Sequence, residues 1–74
     1  MKIYVLMVYY IDGADFLGCY SSDYKAIETI GKLKLYNKCF GTEERYKVYD
    51  VEVNKYYDWN TIDKVEVYRE EGNN

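Results

Sequence analysis

The N-terminal segment of the chain, residues 2–11, is hydrophobic at nearly every position. Continuous rather than alternating hydrophobicity is typical of a strand that is covered on both faces, so we expect a central strand here. The pair Asp12–Gly13 predicts a tight hairpin turn, because glycine accepts the backbone conformation that such turns require. Residues 15–21 are then predicted to return as a second, antiparallel strand.

A helix is predicted to follow, because the apolar residues adopt the helical repeat after Ser22. Ser22 is a favourable N-cap residue, and Asp23 stands where the helix dipole favours a negative charge. Gly31 predicts a close approach to the sheet or an early helix end, since glycine weakens a helix interior. The predicted apolar face and the opposite charged face consist of Ala26, Ile27, Ile30 and Leu33 and of Lys25, Glu28 and Lys32.

Two more strands are predicted in the second half of the chain. Within residues 45–54, Tyr46 and Val48 are out of phase with Tyr49 and the apolar residues that follow, which predicts a bulge near residues 48–49. Residues 58–63 are predicted to form a turn or a single helical turn, and the alternating residues after them a short edge strand. The predicted fold is α+β: a small antiparallel sheet with one helix packed on one face, in the order ββαββ.

The length and the ends of the chain define the predicted domain. A sequence of 74 residues has room for one hydrophobic core, which we assign to residues 1–69. Residues 70–74 (EEGNN) are expected to form a frayed acidic tail. The longest apolar run, residues 3–11, is far shorter than the ~20 residues that span a bilayer, so no membrane partner is predicted.

Composition limits the chemistry that the chain is expected to perform. There are 11 tyrosines, two cysteines (Cys19 and Cys39) and no histidine. Without histidine, a catalytic serine or cysteine lacks its usual base, and zinc lacks a plausible set of ligands. We therefore predict no enzymatic activity, no catalytic residue, no metal and no cofactor. Cys19 is expected to pack as a small hydrophobe on the second strand, with both thiols reduced in a cytoplasmic protein.

Charge is distributed unevenly between the two halves of the chain. Residues 1–40 hold five lysines and four acidic residues, whereas residues 41–74 hold five basic and nine acidic residues. This acidic half disfavours direct binding to a nucleic-acid backbone, which requires a basic surface. It favours a basic protein partner, such as a nucleic-acid-binding protein. The candidate contact residues are Glu43, Glu44, Asp50 and Glu52.

The sheet face away from the helix is a second candidate surface. Four strands ~4.8 Å apart make a sheet about 19 Å wide, and a helix is only about 10 Å across. Large apolar faces left open usually mark interaction sites. We assign this open face to Tyr4, Leu6, Val8 and Tyr10, and expect a protein partner or a second copy in a homodimer to cover it. Two alternatives stay open: tyrosine hydroxyls make the face compatible with water, or residues 55–62 fold over it.

An aromatic stretch, KYYDW, lies at residues 55–59. Its rings, Tyr56, Tyr57 and Trp59, could stack on the bases of a single-stranded nucleic acid. The neighbouring charges are mostly acidic, however, which opposes that function. Trp59 is interpreted either as a cover for one end of the core or as an anchor for a protein partner, because tryptophan and tyrosine dominate interface hot spots.

The opening MKIYVLMVYY and the GCYSS before the helix, together with Ala26 and Trp59, form a recognisable combination. In these features the chain resembles a family of small uncharacterised bacterial and phage domains, which begin with an MKVYVL-like strand and carry a G-x-Y-S-S turn into a helix. The resemblance covers roughly residues 1–33 and implies the fold without implying a site.

The function predicted from the sequence is therefore a non-enzymatic protein-interaction module. A small, acidic, tyrosine-rich chain of this kind would suit a phage or mobile-element inhibitor that blocks a host nucleic-acid-handling protein, in the manner of an anti-CRISPR protein. Two alternatives remain. One is a small single-stranded nucleic-acid-binding protein that uses tyrosine and tryptophan stacking, and the other is a housekeeping homodimeric domain.

Overall fold

The computed structural model describes residues 1–37 and 44–71, and it confirms the α+β class with an antiparallel sheet. The elements are β1 Lys2–Tyr10, β2 Gly13–Tyr20, α1 Asp23–Asn37, β3 Arg45–Glu52, α2 Trp59–Ile62, the 3-10 turn Asp63–Val65 and β4 Glu66–Glu71. Strands β1 and β2 form a hairpin, and helix α1 follows it; β3 and β4 are joined by the short helix α2 and the 3-10 turn. The strand order is β2-β1-β3-β4, so β1 is central as predicted and β4 lies at an edge.

The hairpin between β1 and β2 is confirmed, with its loop one residue earlier than the Asp-Gly pair suggested. Tyr10 pairs with Gly13, which leaves Ile11 and Asp12 as the loop. Further along, Leu6 pairs with Gly18 while Met7 pairs with Phe16, so β2 contains one unpaired residue at this bulge. A bulge of this kind bends an edge strand and changes which side chains share a face.

Helix α1 begins as the sequence predicts. The Ser22 Oγ accepts a hydrogen bond from the Lys25 backbone N–H at 3.4 Å, which confirms Ser22 as the N-cap. Ala26 and Ile30 on the predicted apolar face are completely buried. Gly31 causes neither predicted effect: it is exposed, no atom lies near the position of a Cβ, and the helix continues to Asn37.

The hydrophobic core lies between α1 and one face of the sheet. It contains Leu6 and Val8 of β1, which are 0% and 2% exposed, and Tyr4 packs against it. The remaining core residues come from α1 and β3: Ala26, Ile30, Tyr46 and Val48. The prediction that Tyr4, Leu6, Val8 and Tyr10 form an open face is therefore wrong, because this is the face that α1 covers. Leu6 and Val8 cannot form the centre of a partner interface or a homodimer interface in the folded chain.

The second face of the sheet carries the odd-numbered residues of β1. Ile3, Val5 and Met7 are half-buried there, while Tyr49 of β3 is only 1% exposed. The chain after β3 covers part of this face, since the 3-10 turn contacts β3 and Glu66 forms an ion pair with Lys47 at 3.5 Å. This differs from the alternative that the sequence left open, because the covering residues are 63–66 rather than 55–62 and the face is the opposite one.

A register shift lies at the predicted place, between Val48 and Tyr49, but it belongs to the pairing of β3 with β4 and is not a bulge in β3 itself. Val48 pairs with Tyr68, but Tyr49 pairs with Glu66, so the extra residue belongs to β4. Strand β3 itself pairs with β1 without interruption. The two out-of-phase apolar sets of β3 are its two buried faces, one under α1 and the other on the second face.

Two further expectations are corrected. Glu70 and Glu71 belong to β4 instead of a frayed tail, and the Glu70 carboxylate accepts a hydrogen bond from the Lys34 Nζ at 2.5 Å. Residues 72–74 of the predicted tail lie outside the described residues. Cys19 is exposed rather than packed, because it lies on an edge strand opposite Val5, on the second face. Cys39 lies outside the described residues.

Candidate functional site: an aromatic pocket after strand β3

The chain turns sharply where β3 ends. The Val53 backbone N–H donates to the Met1 carbonyl at 3.0 Å, which extends the pairing with the N-terminus by one bond. Asn54 then adopts a φ of 67°, in the left-handed region where asparagine is enriched because its side chain tolerates this conformation. The turn directs residues 55–58 away from the strand and positions the aromatic stretch that the sequence singled out.

Tyr57 fixes this stretch to the sheet. The Glu52 backbone N–H donates to the Tyr57 hydroxyl oxygen at 2.9 Å, and the Tyr57 side chain is half-buried. The Lys55 ammonium lies 5.3 Å from the centroid of the Tyr57 ring, within the range of a cation–π interaction. The Tyr57 ring therefore has a defined position, and it already attracts a cation of its own chain.

Asp58 fixes the next part of the stretch by capping α2. Its Oδ1 accepts hydrogen bonds from the backbone N–H groups of Asn60 at 3.0 Å and Thr61 at 2.9 Å. The Asp58 N–H donates in return to the Thr61 Oγ1 at 2.8 Å, which completes a capping box. The hydrogen bonds from Thr61, and then from Asn60, lower the pKa of Asp58, so this exposed carboxylate carries its negative charge at neutral pH.

These residues surround an open pocket of about 320 Å³. Its lining consists of Tyr56, Tyr57, Asp58, Trp59 and Ile62. Trp59 and Ile62 are three residues apart on α2, a spacing that places both on the same side of a helical turn. The Tyr56 and Trp59 side chains are 84% and 76% exposed, so the interpretation that Trp59 covers one end of the core is wrong. The pocket is aromatic, carries a carboxylate and is held by the hydrogen bonds of Tyr57 and Asp58.

Three of the acidic residues predicted as contact residues have partners within the fold. Glu44 is 8% exposed and accepts a hydrogen bond from the Tyr46 hydroxyl. Asp50 lies 3.4 Å from the Lys2 ammonium, and Glu52 lies 3.5 Å from the N-terminal amine. Glu43 lies outside the described residues. A carboxylate already paired with a neighbouring cation presents little net charge to a partner.

Sequence reasoning grouped the three rings of the pocket but did not join Asp58 and Ile62 to them. Asp58 was recognisable, because aspartate followed three residues later by threonine can form a reciprocal cap, and a cap orients a carboxylate. Ile62 could have been found from its spacing to Trp59 once a helical turn was assigned to residues 58–63. The pocket itself had no signal in the sequence, since it depends on the hydrogen bond that joins Tyr57 to β3.

Within residues 1–37 and 44–71, no group of three or more aspartate, glutamate and cysteine side chains is arranged to hold a metal ion. No helix in this part of the chain is long and apolar enough to cross a membrane. No protein-family model, curated protein or solved structure matches the chain. The family resemblance noted from the sequence therefore stays a prediction.

Proposed function

We propose that this protein is a non-enzymatic interaction domain that binds a protein partner through the aromatic pocket. The observation that carries this proposal is the exposure of Tyr56 and Trp59, at 84% and 76%, on a segment held in place by hydrogen bonds. Tyrosine and tryptophan are the residues that most often dominate binding energy at interfaces. A segment that is already ordered loses little conformational entropy on binding, which favours affinity.

The partner proposed in the narrower form of this function is a basic protein that handles nucleic acid. The chain carries a formal net charge of −3, and Asp58 at the pocket forms no ion pair within the described residues. Attraction between opposite charges raises association rates and orients the two proteins. An inhibitor from a phage or mobile element, acting on a host protein of this kind, is consistent with the resemblance to phage domains.

An affinity capture with matched variants tests the function. The double variant Tyr56→Ala/Trp59→Ala removes both exposed rings of the pocket, whereas Phe16→Ala removes an exposed ring from β2, where Phe16 is 60% exposed. Partners captured from host lysate by the wild-type chain should be lost from the double variant and retained by Phe16→Ala, as measured by quantitative mass spectrometry. An unchanged set of partners with the double variant would contradict the pocket as the binding surface.

A second candidate function is binding to single-stranded nucleic acid. The specific observation in its favour is the same pair of exposed rings, because bases stack on exposed tyrosine and tryptophan without regard to sequence. The carboxylate of Asp58 in the pocket opposes it by repelling phosphate. A 20-nucleotide oligothymidylate that quenches Trp59 fluorescence at submicromolar concentration would favour this second function over protein binding.

A further inference from the structure

We propose that the aromatic pocket is a receptor for a cationic side chain of the partner, with an arginine guanidinium as its occupant. This inference rests on the proposed function and specifies the chemistry that the pocket recognises. Three properties of the pocket lead to it: the faces of its rings, an available carboxylate oxygen, and a cation of the chain itself that already lies over one of the rings.

The rings provide the first requirement of a cation receptor. Cations bind over the faces of tryptophan and tyrosine, because the ring quadrupole makes each face electron-rich. Tyr56, Tyr57 and Trp59 all line the pocket, and Tyr56 and Trp59 are exposed enough to be reached from solvent. A guanidinium is planar and weakly hydrated, so it stacks on such faces more readily than an ammonium does. The volume of about 320 Å³ also leaves room for the stem of an arginine.

Asp58 provides the second requirement. All of the hydrogen bonds that its carboxylate accepts from Asn60 and Thr61 end on Oδ1, and Oδ2 accepts none within the described residues. The capping bonds therefore fix the carboxylate at the wall of the pocket and leave its second oxygen for a ligand. Carboxylates pair with guanidinium groups through charge-assisted hydrogen bonds, which are stronger than neutral ones.

The chain itself places a cation over one of these rings. The Lys55 ammonium lies 5.3 Å from the Tyr57 ring centroid, and it forms no salt bridge within the described residues. An apolar side chain would fit the pocket less well, because it would take water from a charged carboxylate without replacing it. A phosphate would be repelled by the same carboxylate. A cation satisfies both the rings and Asp58.

Fluorescence of the pocket tryptophan measures the binding directly, because Trp59 is the single tryptophan of the sequence. The probe is the peptide acetyl-Gly-Arg-Gly-amide, titrated into the full chain at constant ionic strength. The neutral comparison is acetyl-Gly-citrulline-Gly-amide, which keeps the shape of the side chain and lacks its charge. We expect a saturable change with the arginine peptide and at least a tenfold weaker one with the citrulline peptide.

Two variants and one control separate the contributions of the carboxylate and the rings. Asp58→Asn removes the charge while leaving a good capping residue, so α2 should be kept and affinity for the arginine peptide should fall about tenfold. Tyr56→Leu should weaken binding about three- to tenfold, whereas Tyr56→Phe, which keeps the ring and loses only the hydroxyl, should bind like the wild type. Far-UV circular dichroism of each variant reports whether the fold is retained.

Three results would overturn the proposal. Equal affinity for the arginine and citrulline peptides would show that charge is not recognised, and undiminished binding by Asp58→Asn would remove the carboxylate from the site. Saturation by oligothymidylate but not by the arginine peptide would assign the rings to base stacking. If Tyr56→Ala/Trp59→Ala loses its captured partners while the two peptides bind the wild type equally, the pocket is an interaction surface but its occupant is not a cation. If the capture is unchanged, the proposed function fails independently.

Discussion

Tyr49 is the residue whose ionisation is expected to limit stability in alkali. Its side chain is 1% exposed, and its hydroxyl lies 2.6 Å from the Tyr9 hydroxyl on the second face of the sheet. Burial, then the hydrogen bond with Tyr9, raises the pKa of Tyr49 far above its ordinary value, and the charges of Glu66 and Asp63 add to the effect. A folded chain therefore keeps the proton on Tyr49 under conditions in which an unfolded chain loses it.

The sign and the size of the effect follow from this difference in proton binding. An unfolded tyrosine ionises near pH 10, so the contribution of Tyr49 to stability is fully present below that pH and decreases above it. The free energy of unfolding then falls by up to about 1.4 kcal/mol for each pH unit above 10, as long as the folded chain keeps the proton on Tyr49. Tyr49→Phe removes the hydrogen bond to Tyr9, which should cost about 1 kcal/mol of stability at pH 8. It should also remove the part of the alkaline decrease that comes from Tyr49. The two chains should become equally stable at about pH 10.7.

Urea unfolding followed by circular dichroism at pH 8, 9.5, 10.5 and 11 measures the effect, and tyrosinate absorbance at 295 nm reports ionisation. Tyr24→Phe is the matched control, because Tyr24 is 69% exposed and solvated in both states. The stability of Tyr24→Phe should depend on pH as that of the wild type does. Tyr10 and Tyr68 also have raised pKa values, the first chiefly through burial and the second chiefly through its hydrogen bond to Glu70, so Tyr49→Phe retains some alkaline sensitivity. Parallel curves for wild type and Tyr49→Phe would refute the reasoning.

Three further outcomes are expected. Val8→Lys places a charge at a site that is 2% exposed, so it should lower the free energy of unfolding by about 3 kcal/mol or more in urea titrations. Val67→Lys, at 47% exposure on β4, should change it by less than ~0.5 kcal/mol, and equal effects would contradict the burial of Val8 under α1. Ser22→Ala removes the N-cap of α1 and should lower the free energy of unfolding by about 1 kcal/mol, whereas Ser21→Ala should leave it unchanged. Equal thermal unfolding midpoints for the two variants would argue against the cap. The hydrogen bond from Lys34 lowers the pKa of Glu70, so the stability from this pair is present above pH ~4.3 and is lost as acid protonates the carboxylate. Lys34→Met should therefore cost ~0.5–1 kcal/mol of stability at pH 7. A difference between wild type and Lys34→Met that persists undiminished at pH 3 would refute the pairing.

The sequence predicted the elements of this fold more reliably than it predicted their faces. Ser22, the burial of Ala26 and Ile30 and the edge position of β4 followed from local rules of capping and periodicity. The face of β1 under α1 did not, because both sets of alternating residues in β1 are apolar. Packing decided it: Leu6 and Val8 meet Ala26 and Ile30 in one cluster, a contact between segments about 20 residues apart.

Charge patterning misled for a related reason. The count of acidic residues in the second half of the chain is correct, but a count does not show which carboxylates have neighbours across the sheet. The pairing of β1 with β3 places Lys2 opposite Glu52 and next to Asp50, so these acids are paired within the fold. Such pairs depend on strand register, which the sequence alone did not specify for β3.

The aromatic pocket can be separated from folding on energetic grounds. Tyr57 contributes to the fold, since its hydroxyl accepts a hydrogen bond from Glu52 and its ring is half-buried. Tyr56 and Trp59 bury so little of their surface, at 84% and 76% exposed, that replacing them should hardly change stability. Their presence at these positions is therefore not explained by packing. Because folding does not require them, a loss of binding in Tyr56 or Trp59 variants can be attributed to the pocket, and the same loss in a Tyr57 variant cannot.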